Sequence, residues 1–140
     1  MIWEDSTMRQ LGPFAFLLSL PFATLVPAHG MAAVSSDDFL ARTTGQLVAL
    51  CSAPPTDPLA TSAVNFCHGF AVAVARVLEE EDAANPGTRP MFCLPANGVS
   101  RNQAVSQFVQ WASADPSRMS MPATDGVAGF LAANYPCSRQ

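Results

Sequence analysis

Lysine is absent from this chain. All seven basic residues are arginine, a bias we assign to genome composition before function. Charge is sparse, at 13% of residues, and the formal net charge is −4. An acidic chain has no electrostatic basis for gripping a phosphate backbone, so nucleic-acid binding is excluded. Histidine is scarce too: there are two, and beyond residue 32 only His68 remains. No CxxC-like or HxxxH-like grouping occurs, which removes the usual zinc ligand sets. No serine sits in a GxSxG context, and no two carboxylates are placed by the sequence as a glycosidase acid and base. Internal repeats, alternating strand patterns and low-complexity tracts are missing as well. These absences leave no catalytic residues, no cofactor and no metal to assign, and the chain reads as a non-enzyme.

What the sequence does contain is four cysteines, Cys51, Cys67, Cys93 and Cys137, behind an export signal. Residues Met8 to about Ala33 carry the signal's three regions. Arg9 supplies a positive start. Phe14 to Leu20 begins an apolar core that runs to Val26. Pro27, Ala28, Gly30, Ala32 and Ala33 supply small residues for cleavage, and a cut after Gly30 or Ala32 satisfies the small-residue rule equally. Glu4 and Asp5 do not suit a signal's positive end, so Met8 is a candidate true start. Pro21 and Pro27 interrupt the apolar run, which is shorter than the ~20 residues of a spanning helix. We therefore divide the chain into a signal peptide, 1–32, and one domain, 33–140. The location expected is the periplasm, with no membrane attachment after cleavage. Four thiols exported to an oxidising compartment are expected to form two disulfides.

Four helical segments are readable in the mature chain. The first runs from Ser36 to about Cys51, capped by Ser35 or Ser36, with Asp37 and Asp38 in its first turn. Phe39, Thr43, Leu47 and Leu50 share one face. Asp57 caps the second helix, with Pro58 at its first position; it runs to about Glu81. Its face of Val64, Cys67, Ala71, Val74 and Leu78, widened by Phe66, Phe70 and Val77, marks it as the central, most buried helix. Residues 82–92 form a loop turning at Asn85-Pro86-Gly87. Met91 to Pro95 read as an extended segment pinned to the core. Ser100 opens the third helix through a capping box with Gln103, and Val105, Phe108, Val109 and Ala112 line its inner face. The fourth starts at Met121 to Ala123 and reaches about Asn134, with Val127, Phe130, Leu131 and Ala128 inward. The fold class is all-α: a small bundle of about four helices with two disulfides, preceded by a signal peptide.

Of the three possible pairings, the layout favours one. A proline-rich turn folds the second helix back past the end of the first, which brings Cys51 to Cys67. Cys93 precedes the third helix and Cys137 follows the fourth. In an antiparallel pair those two ends coincide, which brings Cys93 to Cys137. A metal or nucleophile reading of Cys67-His68 fails against this, since thiol catalysis needs a free cysteine beside a base.

Three features have more than one reading. Glu79-Glu80-Glu81-Asp82 ends the second helix, where acids oppose the dipole. We read it as a solvated, frayed end; the alternative is a patch for a basic partner. Met119 and Met121, beside Arg118, suit either an adaptable contact surface or a plug into the core. Trp111 is either core or an interface anchor.

Four blocks in order resemble a known family. They are the helix from Phe39-Leu40 to Leu50-Cys51, then Cys67-His68-Gly69-Phe70, then Phe92-Cys93-Leu94-Pro95, then Tyr135-Pro136-Cys137. Together they are similar to the Rap/Tai family of type VI secretion immunity proteins, over about residues 37–137. The resemblance implies an all-helical, disulfide-bonded periplasmic protein, often a homodimer, that binds a secreted peptidoglycan amidase and blocks its active site with a loop. By position that loop matches 113–121, which makes Asp115, Ser117, Arg118, Met119, Ser120 and Met121 the candidate partner-binding residues. The competing function is a periplasmic structural or holdase-like helical module without a toxin partner. An enzyme would require an acid pair or His68 in a cleft, and ranks last.

Overall fold

A computed structural model describes residues 33–138 of the chain. The expected signal peptide and its candidate start at Met8 lie outside the described residues. Those described form a 3-10 turn, Ser36–Leu40, followed by five helices: α1 Thr44–Cys51, α2 Ala60–Ala84, α3 Arg101–Ser113, α4 Pro116–Met119 and α5 Ala123–Asn134. Among them there is no β-strand. The all-α bundle expected from the sequence is the fold observed.

The single first helix expected from Ser36 is two elements. Ala41 takes a left-handed conformation, with φ 43 and ψ 42, and closes the 3-10 turn. Thr43 then caps α1: its hydroxyl accepts from Gln46 N–H, and the Gln46 side chain accepts from the Thr43 N–H at 3.3 Å. This reciprocal box satisfies two of the free N–H groups at a helix start. Phe39 and Thr43 therefore share no helical face with Leu47 and Leu50. Phe39 instead packs edge-on against Phe66, centroids 5.6 Å apart.

The expectation that α2 is the most buried helix is also corrected. α1 holds that place: it touches the 3-10 turn and every other helix, and Thr44, Leu47 and Leu50 are fully buried. Of the 25 residues of α2, only Ala63 and Cys67 are buried. The pattern along α2 measures the width of its apolar face, whereas burial requires neighbours, and α2 outruns the shorter helices beside it. It begins at Ala60, two residues beyond Pro58, because Asp57 and Pro58 form a turn first. The Asp57 carboxylate accepts from Leu59 N–H at 2.8 Å and, through its other oxygen, from Val34 N–H at 2.8 Å. It thus pins the N-terminal strand of chain to the start of α2.

The junction between α1 and α5 is a close one. Thr44 is the only buried polar side chain among the described residues. Its N–H donates to Met121 O at 2.8 Å; its hydroxyl lies 3.2 Å from Met121 O and 3.3 Å from Pro122 O. Gly126 lies directly against it, and a Cβ there would come within 3.0 Å of the Thr44 Cβ. Gly126 is required by close approach.

The aromatic half of the core centres on Phe130 of α5. Phe108, Trp111 and Tyr135 surround it edge-on, with centroids 5.7, 6.1 and 5.8 Å away, arrangements that ring quadrupoles favour. The Tyr135 hydroxyl donates to Gln107 Oε1, and burial raises its pKa above the ordinary value. The segment Met91–Pro95 has no helix or strand, with Phe92 buried and Cys93 N–H donating to Tyr135 O at 2.8 Å.

Cys51 is bonded to Cys67, with Cα atoms 5.2 Å apart, and Cys93 to Cys137, at 4.9 Å. The first bond crosses the α1–α2 turn; the second fastens the segment 91–95 to the stretch that follows α5. The sequence separations are 16 and 44. In the chain-entropy picture these correspond to about 3 and about 4 kcal/mol respectively. Replacing Cys93 and Cys137 together by alanine is therefore expected to cost about 1 kcal/mol more than replacing Cys51 and Cys67, read as urea midpoints on the two double variants. Gly126→Ala is expected to cost at least about 1–3 kcal/mol from overpacking against Thr44, measured the same way; an unchanged midpoint would show that the α1–α5 junction yields freely.

Candidate functional site

The segment between α3 and α5 is a folded corner, not a free loop. Asp115 caps α4, its carboxylate accepting from Ser117 N–H at 2.9 Å. Hydrogen bonds from Ser117, side chain and backbone, hold the Asp115 carboxyl below its ordinary range, and Arg118 adds to the effect. Pro116 occupies the first helical position, where its missing N–H costs nothing.

Arg118 folds back over α3. Its guanidinium carbon stands 4.4 Å from the Trp111 ring centroid, and Nη1 donates to Trp111 O at 2.6 Å. Asp115 approaches its Nε at 3.8 Å. Arg118 thus closes the C-terminal end of α3, where free carbonyls and the dipole favour a cation. Trp111 is both core and rim: one side packs on Phe130 and the other carries Arg118.

Met119 and Met121 are held by their backbones. Gly45 leaves room for Met119 O, which would stand 3.2 Å from a Cβ at that position. Met121 O receives Thr44 N–H. Thr43 and Pro122 form an isolated antiparallel bridge. The side chain of Met119 packs against the core and that of Met121 is half-buried. Of the six candidate residues, Ser117 and Ser120 are exposed, and the other four are half-buried. Ser120 Oγ donates to Ser117 O at 2.8 Å, so even the exposed pair is ordered. The structure brings all six into one corner and gives it a fixed backbone.

The acidic run at the C-terminal end of α2 is ordered helix, with Glu80 and Glu81 exposed. α2 continues through it to Ala84; Glu79 pairs with Arg76 at 2.8 Å, and the Asp82 carboxylate accepts from Met91 N–H at 3.2 Å. His68 lies on the wall of an apolar cleft of about 150 Å³ between α2, α3 and α5, with Val72, Leu94, Arg101 and Phe108 among the lining. Among the described residues no three His, Cys, Asp or Glu side chains gather for a metal, and no cysteine is free. The positioning residues that the sequence reading passed over are Thr44, Gly45 and Gly126. The Thr43-x-x-Gln46 box was a visible signal for the first; the close approaches at the two glycines depend on distant segments and left no local mark.

The model of the Rap1a immunity proteins matches residues 43–137. The chain belongs to this family. The matched stretch starts at the cap of α1 and ends at the last disulfide cysteine, so it spans the five helices and both bonds. No curated protein and no solved structure matches the chain. Membership gives this Rap1a protein a toxin-immunity role and a cognate toxin as its partner, in a family that generally works by binding and not by catalysis.

A fixed corner at the end of α3 depends on Arg118. Arg118→Ala is expected to lower stability by about 1–2 kcal/mol, through the lost cation–π contact and the charge-assisted bond to Trp111 O. Arg118→Lys should recover only part of this, because an ammonium cannot stack flat while bonding the carbonyl. Equal midpoints for wild type and Arg118→Ala would sink this account.

Proposed function

We propose that the protein is a periplasmic immunity protein that binds a secreted peptidoglycan amidase delivered by type VI secretion and occludes its active site. Family membership supports the immunity role. Two disulfides support an oxidising compartment, which in a bacterial envelope is the periplasm. A periplasmic location fits a toxin whose substrate is the cell wall.

The contact surface proposed is the corner Asp115–Met121. Its backbone is anchored to α1 through Thr44 and to α3 through Arg118. A preordered segment loses little conformational freedom on binding, which favours tight, slowly released complexes. Ser117 and Ser120 offer hydroxyls at the tip, and the half-buried Arg118 and Met121 offer a cation and an adaptable apolar edge. Blocking needs no chemistry from this chain.

The oxidised protein is expected to abolish peptidoglycan cleavage by its cognate amidase at equimolar concentration. A Ser117→Trp, Ser120→Trp double variant should keep the fold, by circular dichroism and urea midpoint, while inhibition weakens at least about tenfold. Full amidase activity in the presence of excess wild-type protein would refute the proposed toxin class. Undiminished inhibition by the double variant would refute the proposed corner.

A further inference from the structure

The apolar cleft of about 150 Å³ between α2, α3 and α5 is a space that the chain does not fill. Its floor is sealed core: Phe108, Val127, Phe130 and Leu131 are all buried. Its flanks are short side chains, Ala71 and Ala75 on α2 and Ala104 on α3, where larger residues would close the gap. Ala71 and Ala75 lie four positions apart, so both point the same way from the helix. Val72 and Leu94 border the opening and are exposed. An apolar space of this kind holds water poorly, and one of this volume accepts a molecule the size of benzene. No residue of the corner Asp115–Met121 lines it.

Charge in the cleft is of one sign. The Tyr135 hydroxyl on its wall already donates to Gln107 Oε1. The other polar side chains lining it are His68 from α2 and Arg101 from α3. No Asp or Glu lines it, although the chain carries 11 acidic residues against seven basic ones. Among the described residues no carboxylate stands within ion-pair distance of Arg101. Arg101 is exposed, which sets it at the rim, where its guanidinium keeps its water and its charge. An apolar interior with a few polar groups that fix orientation is the general form of a small-molecule site. Here those groups ask for an anion.

We propose that the cleft binds a free monocarboxylate whose apolar body is about the size of one aromatic ring. The ring lies on the floor, against Phe108 and Phe130, where aromatic contacts add to the burial of apolar area. The carboxylate meets the Arg101 guanidinium, whose paired N–H groups match two carboxylate oxygens. His68 offers an imidazole N–H from the α2 wall. A neutral arene fills the same space but leaves the guanidinium without a partner, and a cationic one is repelled by it. Volume therefore sets the size of the ligand, and Arg101 selects its charge. The inference rests on the cleft alone and is independent of the proposed toxin.

The test is isothermal titration of the exported, oxidised protein with phenylacetate. A dissociation constant of about 100 μM or tighter is expected, within reach of a ligand of about ten non-hydrogen atoms. Phenylacetamide, its neutral counterpart, should bind at least about tenfold more weakly, and phenethylamine more weakly still. Arg101→Gln should weaken phenylacetate at least about tenfold and leave phenylacetamide unchanged. That side chain is exposed, so the circular dichroism and urea midpoint should hold. Ala104→Leu, which fills the cleft, should abolish binding of both ligands while the urea midpoint of the free protein is kept or raised. Failure of the wild type to bind phenylacetate at about 1 mM overturns the proposal. So does equal affinity for phenylacetamide, or phenylacetate binding that is indifferent to Arg101→Gln or to Ala104→Leu.

Discussion

One buried threonine organises the molecule. Thr44 stands at the first position of α1, sealed from water, and its N–H and hydroxyl both turn toward the carbonyls of Met121 and Pro122. An unsatisfied polar group in that place would cost about 1–3 kcal/mol, so the start of α1 and the approach to α5 hold each other in register. Gly126 allows the contact on one side and Gly45 makes room for Met119 O on the other. Segments nearly 80 residues apart in sequence thereby share a single junction. The corner Asp115–Met121 takes its shape from that junction together with its own Asp115 cap and the Arg118–Trp111 contact.

The disulfides act at the opposite end and on a different problem. Residues 85–100 contain no helix and bury only Phe92. Such a segment has too little apolar contact to hold itself against its own chain entropy. Cys93–Cys137 and the Cys93–Tyr135 hydrogen bond fix it beside the Phe130 cluster. Cys51–Cys67 serves a smaller purpose, closing the turn that reverses the chain between α1 and α2.

Local chemistry was legible in the sequence wherever a few neighbouring residues decide the outcome. Ser100 marks the start of α3, and its Oγ does accept from Gln103 N–H at 3.2 Å; the expected capping box is only half formed, because the Gln103 side chain does not return to the Ser100 N–H. Val127, Phe130 and Leu131 read as the inner face of α5 and are buried. Pro116 reads as a break, and it also begins a one-turn helix because Asp115 caps it. Errors arose where a distant segment decides. The helical spacing from Phe39 to Leu50 is real, but the left-handed Ala41 and the Thr43 cap interrupt it. The apolar breadth of α2 is real too, but the chain supplies it with neighbours on one side only. The site was legible as a location: residues 113–121 read as one loop carrying methionines and arginine. Its rigidity was not, because that depends on Thr44 and Gly45.

A corner knitted this firmly has an evolutionary corollary. Its main chain is committed to interior hydrogen bonds, so it cannot be reshaped without loosening α1. Variation that preserves the fold is confined to the side chains that reach solvent, Ser117 and Ser120 foremost. Under the proposed function, a surface built in this way would change its specificity by exchanging letters on a fixed type block. A lineage could then track a drifting antagonist through single substitutions, while insertions and deletions in the same stretch would be purged for reasons of folding alone.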